Sequence, residues 1–127
     1  MSLTPISHRK RHKLPVIYLA GKMSGLPGFG YKRFFEAEKH LAAAGYTVIN
    51  PAKLNHAGES WHKCLRNDLR HIVSKCQGMA VLRNWRHSRG ARLEVATAIS
   101  LDMFIIDAVS LRPLKITLEQ KFTQRRA

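Results

Sequence analysis

The chain is short of acids. Its 127 residues include 22 lysines and arginines but only 8 aspartates and glutamates, for a formal net charge of +14. An extended acidic surface is excluded, and an anionic partner such as nucleic acid, nucleotide or membrane surface is favoured. Cysteine is scarce too: Cys64 and Cys76 are too few for a disulfide framework. On the helix expected between them they would lie about 18 Å apart, far beyond bridging distance. Two reduced thiols fit a cytoplasmic setting. No apolar run approaches the roughly 18 residues that a membrane span needs. The basic start followed by Leu14–Ala20 imitates a secretory leader, but the stretch contains Pro15 and lacks an Ala-x-Ala cleavage pattern.

Several chemical signatures are missing as well. Gly25-Leu-Pro-Gly28-Phe-Gly30 has its glycines in the wrong order for a dinucleotide fingerprint. Gly21-Lys22 is no P-loop, because Val16 stands where the first glycine belongs and Met23 follows the lysine. There is no H-E-x-x-H and no C-x-x-C. His62 and Cys64 are close in sequence, but surface and core roles account for them better than a metal site. No metal and no cofactor is expected.

What is present is one globular domain. Hydrophobic residues make up 45% of the chain, and the length suits a single core. The charge is unevenly spread. Residues 1–13 carry Arg9, Lys10, Arg11 and Lys13 with no acid, and residues 112–127 carry five bases against Glu119. We therefore read a basic arm over 1–13, an α/β domain over 14–111 and a basic helix or arm over 112–127. Weak nucleic-acid binding is expected of the two basic segments.

Within the domain, short apolar β-rich runs at 16–20, 46–49, 79–82 and 103–106 predict strands. Three amphipathic segments between them predict helices. The first, 31–44, turns Phe34, Ala37, Leu41 and Ala44 inward and ends at Gly45, where a C-cap glycine belongs. The second, 61–76, turns in Leu65, Leu69, Ile72, Val73 and Cys76. The third, 89–101, is capped by Ser88 and turns in Leu93, Ala96 and Ile99. The order β-α-β-α-β-α-β predicts a parallel sheet of four to five strands, with helices on both faces and right-handed crossovers. Ligands of such sheets bind outside the carboxyl ends of the strands.

The scarce acids then stand out. Asp68 has Cys64, Leu65, His71 and Ile72 as helical neighbours, which puts it at the edge of an apolar face. A carboxylate there needs a partner. A buried pair with an arginine or a bond to loop backbone explains it as well as a ligand role does. Glu94 is ringed by Gly90, Ala91, Thr97 and Ala98. Small neighbours either permit tight helix packing while Glu94 reaches solvent, or leave room for a ligand. Residues 83–92 hold four arginines at three-residue spacing, across a strand end and a helix N-terminus. Backbone N–H groups, helix dipole and guanidinium forks together suit a phosphate, and a solvated basic loop explains the run as well.

At these residues the chain resembles the nucleoside 2-deoxyribosyltransferase-like superfamily, in particular an uncharacterised phage and prophage branch. The matching pieces are Ile17-Tyr-Leu-Ala-Gly-Lys-Met-Ser-Gly-Leu-Pro27, Ala44-Gly-Tyr-Thr-Val-Ile-Asn-Pro51, Arg66-Asn-Asp68 and Trp85-Arg-His-Ser-Arg-Gly-Ala-Arg-Leu-Glu94. The resemblance implies a flavodoxin-like (Rossmann-like) α/β fold and cleavage of an N-glycosidic bond, by transfer or by hydrolysis. It implies Glu94 as nucleophile, Asp68 positioning the nucleoside and Tyr18 orienting the glutamate. It implies a phosphate and substrate site from Gly21, Lys22, Met23, Gly25, Ser88, Arg89 and Gly90. The implied ligand is a nucleoside or nucleoside 5′-monophosphate, and the implied assembly a homodimer or higher homo-oligomer. Arg89 or Arg92 is expected to keep Glu94 ionised. Gln77 stands where related sequences usually have aspartate, and Lys22 where they often have proline. The change at Gln77 is expected to weaken base or sugar contacts. A binding module without turnover is the alternative.

Overall fold

A computed structural model describes residues 14–55 and 58–118. The expected arm over 1–13, residues 56 and 57, and the end of the basic tail from 119 lie outside the described residues. Four strands form one parallel sheet: β1 (Val16–Ala20), β2 (Thr47–Ile49), β3 (Gly78–Val81) and β4 (Phe104–Asp107). Their order across the sheet is β2-β1-β3-β4. Three helices connect them: α1 (Tyr31–Ala43), α2 (Trp61–Lys75) and α3 (Arg89–Ser100). This is the flavodoxin-like three-layer fold that the strand and helix order predicts.

Alternation along the strands divides the core. Tyr18, Ala20, Met79, Val81 and Ile105 face α2 and α3, while Ile17, Leu19, Ala80, Leu82 and Ile106 face α1. Both faces are covered, so the strands are apolar throughout. The inward sides of all three helices differ in part from the expected ones, and Ala44, at the end of α1, is exposed. Val73 of α2 is 55% exposed. On α3 the buried residues are Ala91, Glu94, Val95 and Ala98, while Leu93 is 43% exposed. The expected α3 face lies one residue, about 100°, from the true one. The small alanines let α3 press close to the sheet, and that rotation takes Glu94 inward.

Helix ends follow local chemistry. Ser88 accepts the Ala91 N–H at 3.1 Å and caps α3, and Ser60 does the same for α2 with Lys63. Gly45, at φ +109°, ends α1 in a conformation that only glycine adopts easily. Of the basic segment from 112 on, the described part is extended rather than helical. It turns back so that Leu114 N–H reaches Ile105 O at 2.8 Å, and Pro113 forms an antiparallel bridge with Ile106. That return covers the β4 edge, with a proline that offers no free N–H to pair with a further strand.

Candidate active site

The strand order reverses between β1 and β3. β1 leads by α1 to β2 on one side, and β3 leads by α3 to β4 on the other. The loops leaving the two strands therefore part and open a crevice at their carboxyl ends. Two contacts fix the crevice. Lys22 N–H donates to Asn84 Oδ1 at 3.0 Å, joining the two loops. Gly21 passes so close to β3 that a Cβ there would stand 2.7 Å from Leu82 Cδ1.

A cavity of about 340 Å³ occupies this crevice. Its buried end is formed by Tyr18 from β1, Asp68 from α2 and Glu94 from α3. Glu94 is 5% exposed and Asp68 8%. Tyr18 Oη donates to Glu94 Oε2 at 2.9 Å, and the two carboxyls are in hydrogen-bonding contact with each other. Three elements distant in sequence thus deliver one acidic cluster.

Burial dominates the electrostatics here. It pushes the Glu94 carboxyl well above the usual range, and the Asp68 charge pushes it further. Asp68 is raised as well, chiefly by burial, against the lowering effect of its hydrogen bonds from Asn55, Glu94 and Tyr18. The contact between the carboxyls raises Glu94 and lowers Asp68. Of the two carboxyls, Glu94 is therefore the one whose neutral form its surroundings favour more. The Tyr18 hydroxyl, buried beside both, is raised too and stays neutral.

The expected arginine support for an ionised Glu94 is not found. The Arg89 guanidinium lies 4.1 Å from the centre of the Trp61 ring. Arg92 Nη1 donates to Arg86 O at 2.8 Å. Both side chains leave α3 on its outer side, away from the face that carries Glu94. Nor does Asp68 take an arginine or a loop backbone N–H among the described residues: the Asn55 side chain serves instead, its Nδ2 donating to Asp68 Oδ1 at 2.9 Å. Asn55 Oδ1 in turn accepts from Asn67 Nδ2 at 3.3 Å, so the amide has one defined orientation.

Of the implied site residues, Tyr18, Gly21, Met23, Asp68, Ser88, Gly90 and Glu94 line the cavity. Lys22, Gly25 and Arg89 are not part of its lining. Gly25 sits in an exposed turn at φ +81°. Gln77 lies at the opposite end of the sheet, exchanging bonds with Val16 through Oε1 (2.8 Å) and its N–H (2.9 Å). Its departure from the expected aspartate therefore touches no residue of the cavity. Sequence reasoning missed Asn55, and also the aromatic wall of Phe29, Tyr31 and Trp61. Phe29 is 59% exposed at φ +57°, a strained backbone for a bulky residue. The signal available was Phe29 between Gly28 and Gly30 in a loop already placed at the ligand edge.

Among the described residues, no group of His, Cys, Asp and Glu is arranged to hold a metal. Both cysteines are free. Cys64 lines the cavity, and burial raises its thiol, as do the Asp68 and Glu59 charges. No described helix is long and apolar enough to cross a membrane.

Fold and cavity together define a parallel α/β protein with a buried carboxyl pair at its topological switch point. Residues 15–107 match the family described as a domain of unknown function, DUF4406, and the chain belongs to that family. No curated protein matches it.

Proposed function

We propose that the cavity cleaves the N-glycosidic bond of a nucleoside or nucleoside 5′-monophosphate, with Glu94 as nucleophile. The observation that carries this reading is the convergence of Glu94, Asp68 and Tyr18 in one buried cluster facing a ligand-sized cavity. Two carboxyls in contact leave no room for a water between them, which favours attack by a carboxylate over direct attack by water. In the reacting state the pair holds one proton, on Asp68, and Glu94 is the carboxylate. Glu94 then bonds the anomeric carbon, the C–N bond breaks, and Asp68 gives its proton to the departing base. Water, losing a proton to Asp68, or an acceptor base next takes the sugar and frees Glu94. Tyr18 stabilises the Glu94 carboxylate as it leaves. The aromatic wall suits a planar base. The N-termini of α2 and α3, both at the cavity, suit a 5′-phosphate near Ser88 and Gly21. A cytoplasmic setting and a homodimer or higher homo-oligomer belong to the same reading.

Burial and the Asp68 charge, which both favour a neutral Glu94, support a second reading, a nucleotide-binding module without turnover. One experiment separates the two. The protein is incubated with a panel of deoxynucleosides and their 5′-monophosphates, and free base is measured. Base release that falls at least about 10³-fold in Glu94→Gln supports the enzyme. Ligand binding that survives Glu94→Gln, with no base released by either protein, supports the module. No release and no binding across the panel overturns both.

A further inference from the structure

The turn between β3 and α3 alternates two kinds of residue. Ser88, Gly90, Ala91 and Glu94 face the cavity. Arg86, Arg89 and Arg92, between them, are exposed. None of the three is neutralised: the ion pairs found among the described residues, Lys53–Glu38 and Lys63–Glu59, both use lysine. Neighbouring Arg83 differs, since it faces the Asp107 carboxylate and helps hold it low.

The three side chains are nevertheless held. Arg86 stacks on Trp85, its guanidinium carbon 4.6 Å from the ring centre, and Arg89 stacks on Trp61 at 4.1 Å. Arg92 is tied to Arg86 O. Each tether uses the guanidinium face or a single N–H and leaves other donors of the fork open. Three positive charges fixed within one turn, with no acid among them, repel one another. That arrangement costs the free protein and is repaid by an anion.

The anion is larger than one phosphate. None of the three arginines is part of the cavity lining, although Arg89 stacks on the outer side of its wall residue Trp61. They are also braced against different neighbours, Arg89 against α2 and the other two against the β3–α3 turn. A compact triphosphate is gripped by converging groups, whereas a strand is tracked by groups laid along a rim. We propose that this arginine rim binds single-stranded nucleic acid, with the cavity receiving one unpaired nucleotide of the strand. The inference rests on the nucleotide reading of the cavity only for that last step. A duplex would keep its bases stacked and out of reach.

The test measures binding by the full chain of fluorescent oligothymidylates across a salt series. The strands run from a dinucleotide to roughly 16 nucleotides, the upper site size of single-strand grooves. Thymidine monophosphate and triphosphate serve as competitors. Wild type should bind longer strands more tightly and be displaced poorly by either mononucleotide. The combined Arg86→Ala, Arg89→Ala, Arg92→Ala variant should lower the slope of log affinity against log salt by about 2, since each lost phosphate contact on a single strand contributes roughly 0.7. The matching lysine variant should keep most of that slope while binding more weakly, and circular dichroism checks that both fold. An unchanged slope in the alanine variant would overturn the rim and assign strand binding to the basic tails. Equal affinity for triphosphate and long strand, both lost in the variant, would overturn the strand in favour of a compact polyphosphate. Because binding is read without turnover, and again in Glu94→Gln, a cavity that cleaves nothing leaves the rim result standing.

Discussion

Glu94 is a buried acid with another acid beside it, and no cation acts on it among the described residues. Its environment resembles that of carboxyl pairs elsewhere that share one proton, in which one member acts as acid and the other as base or nucleophile. Burial raises both carboxyls most, and Asn55 adds to the difference between them. Its amide donates to Asp68 and so favours the ionised form there. Asn55→Ala should raise the Asp68 midpoint further, because the variant loses a hydrogen bond to the charged form. Carboxyl carbon NMR across a pH titration reads this directly. An unmoved Asp68 in a folded variant would reduce Asn55 to a loop contact.

At the scale of elements, the site depends on how closely β1 and β3 part. Gly21 is implied in ligand binding by resemblance, but its surroundings assign it a packing role as well. A methyl group there would meet Leu82, which is buried. Gly21→Ala should cost about 1–3 kcal/mol by overpacking. The loss should shrink when Leu82 is first cut to alanine, and denaturant melts of the four proteins measure that coupling. Equal losses in both backgrounds would show that the Leu82 contact is not what requires glycine. Helix α3 has a similar double duty. Ser88 already spends its hydroxyl oxygen on the Ala91 N–H, so any phosphate it meets is shared with a cap.

For the whole molecule, the carboxyl pair makes stability depend on pH. A carboxyl raised in the folded state binds its proton more tightly there than in the unfolded chain. The stability it contributes is full below the unfolded carboxyl range and is lost as pH rises through the raised folded value. Wild type should therefore lose ground to Glu94→Gln, which cannot ionise, as pH climbs from about 4.3, the unfolded glutamate value. Thermal melts of both proteins at a series of pH values check this. A constant gap between them would mean that Glu94 titrates normally. The net charge of +14 acts at this scale too. Part of it lies in the tails and part in the arginine rim, so salt should affect strand binding more than folding.

The sequence by itself determined the layers. Apolar runs mark all four strands to within a residue, because a strand covered on both faces must be apolar throughout. The caps at Ser88 and Gly45 were equally legible, since capping is local chemistry. Asp68 and Glu94 stood out because acids are few and their helical neighbours are apolar or small. Tertiary structure decided the rest. It rotated α3 by one residue from its most hydrophobic face, because close packing of alanines against the sheet outweighed burial of Leu93. It sent Arg89 and Arg92 outward and raised the Glu94 carboxyl by burial, a result no spacing rule contains. It brought Asn55 to Asp68 across a loop and placed Gln77 at the far end of the sheet. Such outcomes depend on distances between elements remote in sequence, and only the folded chain sets them.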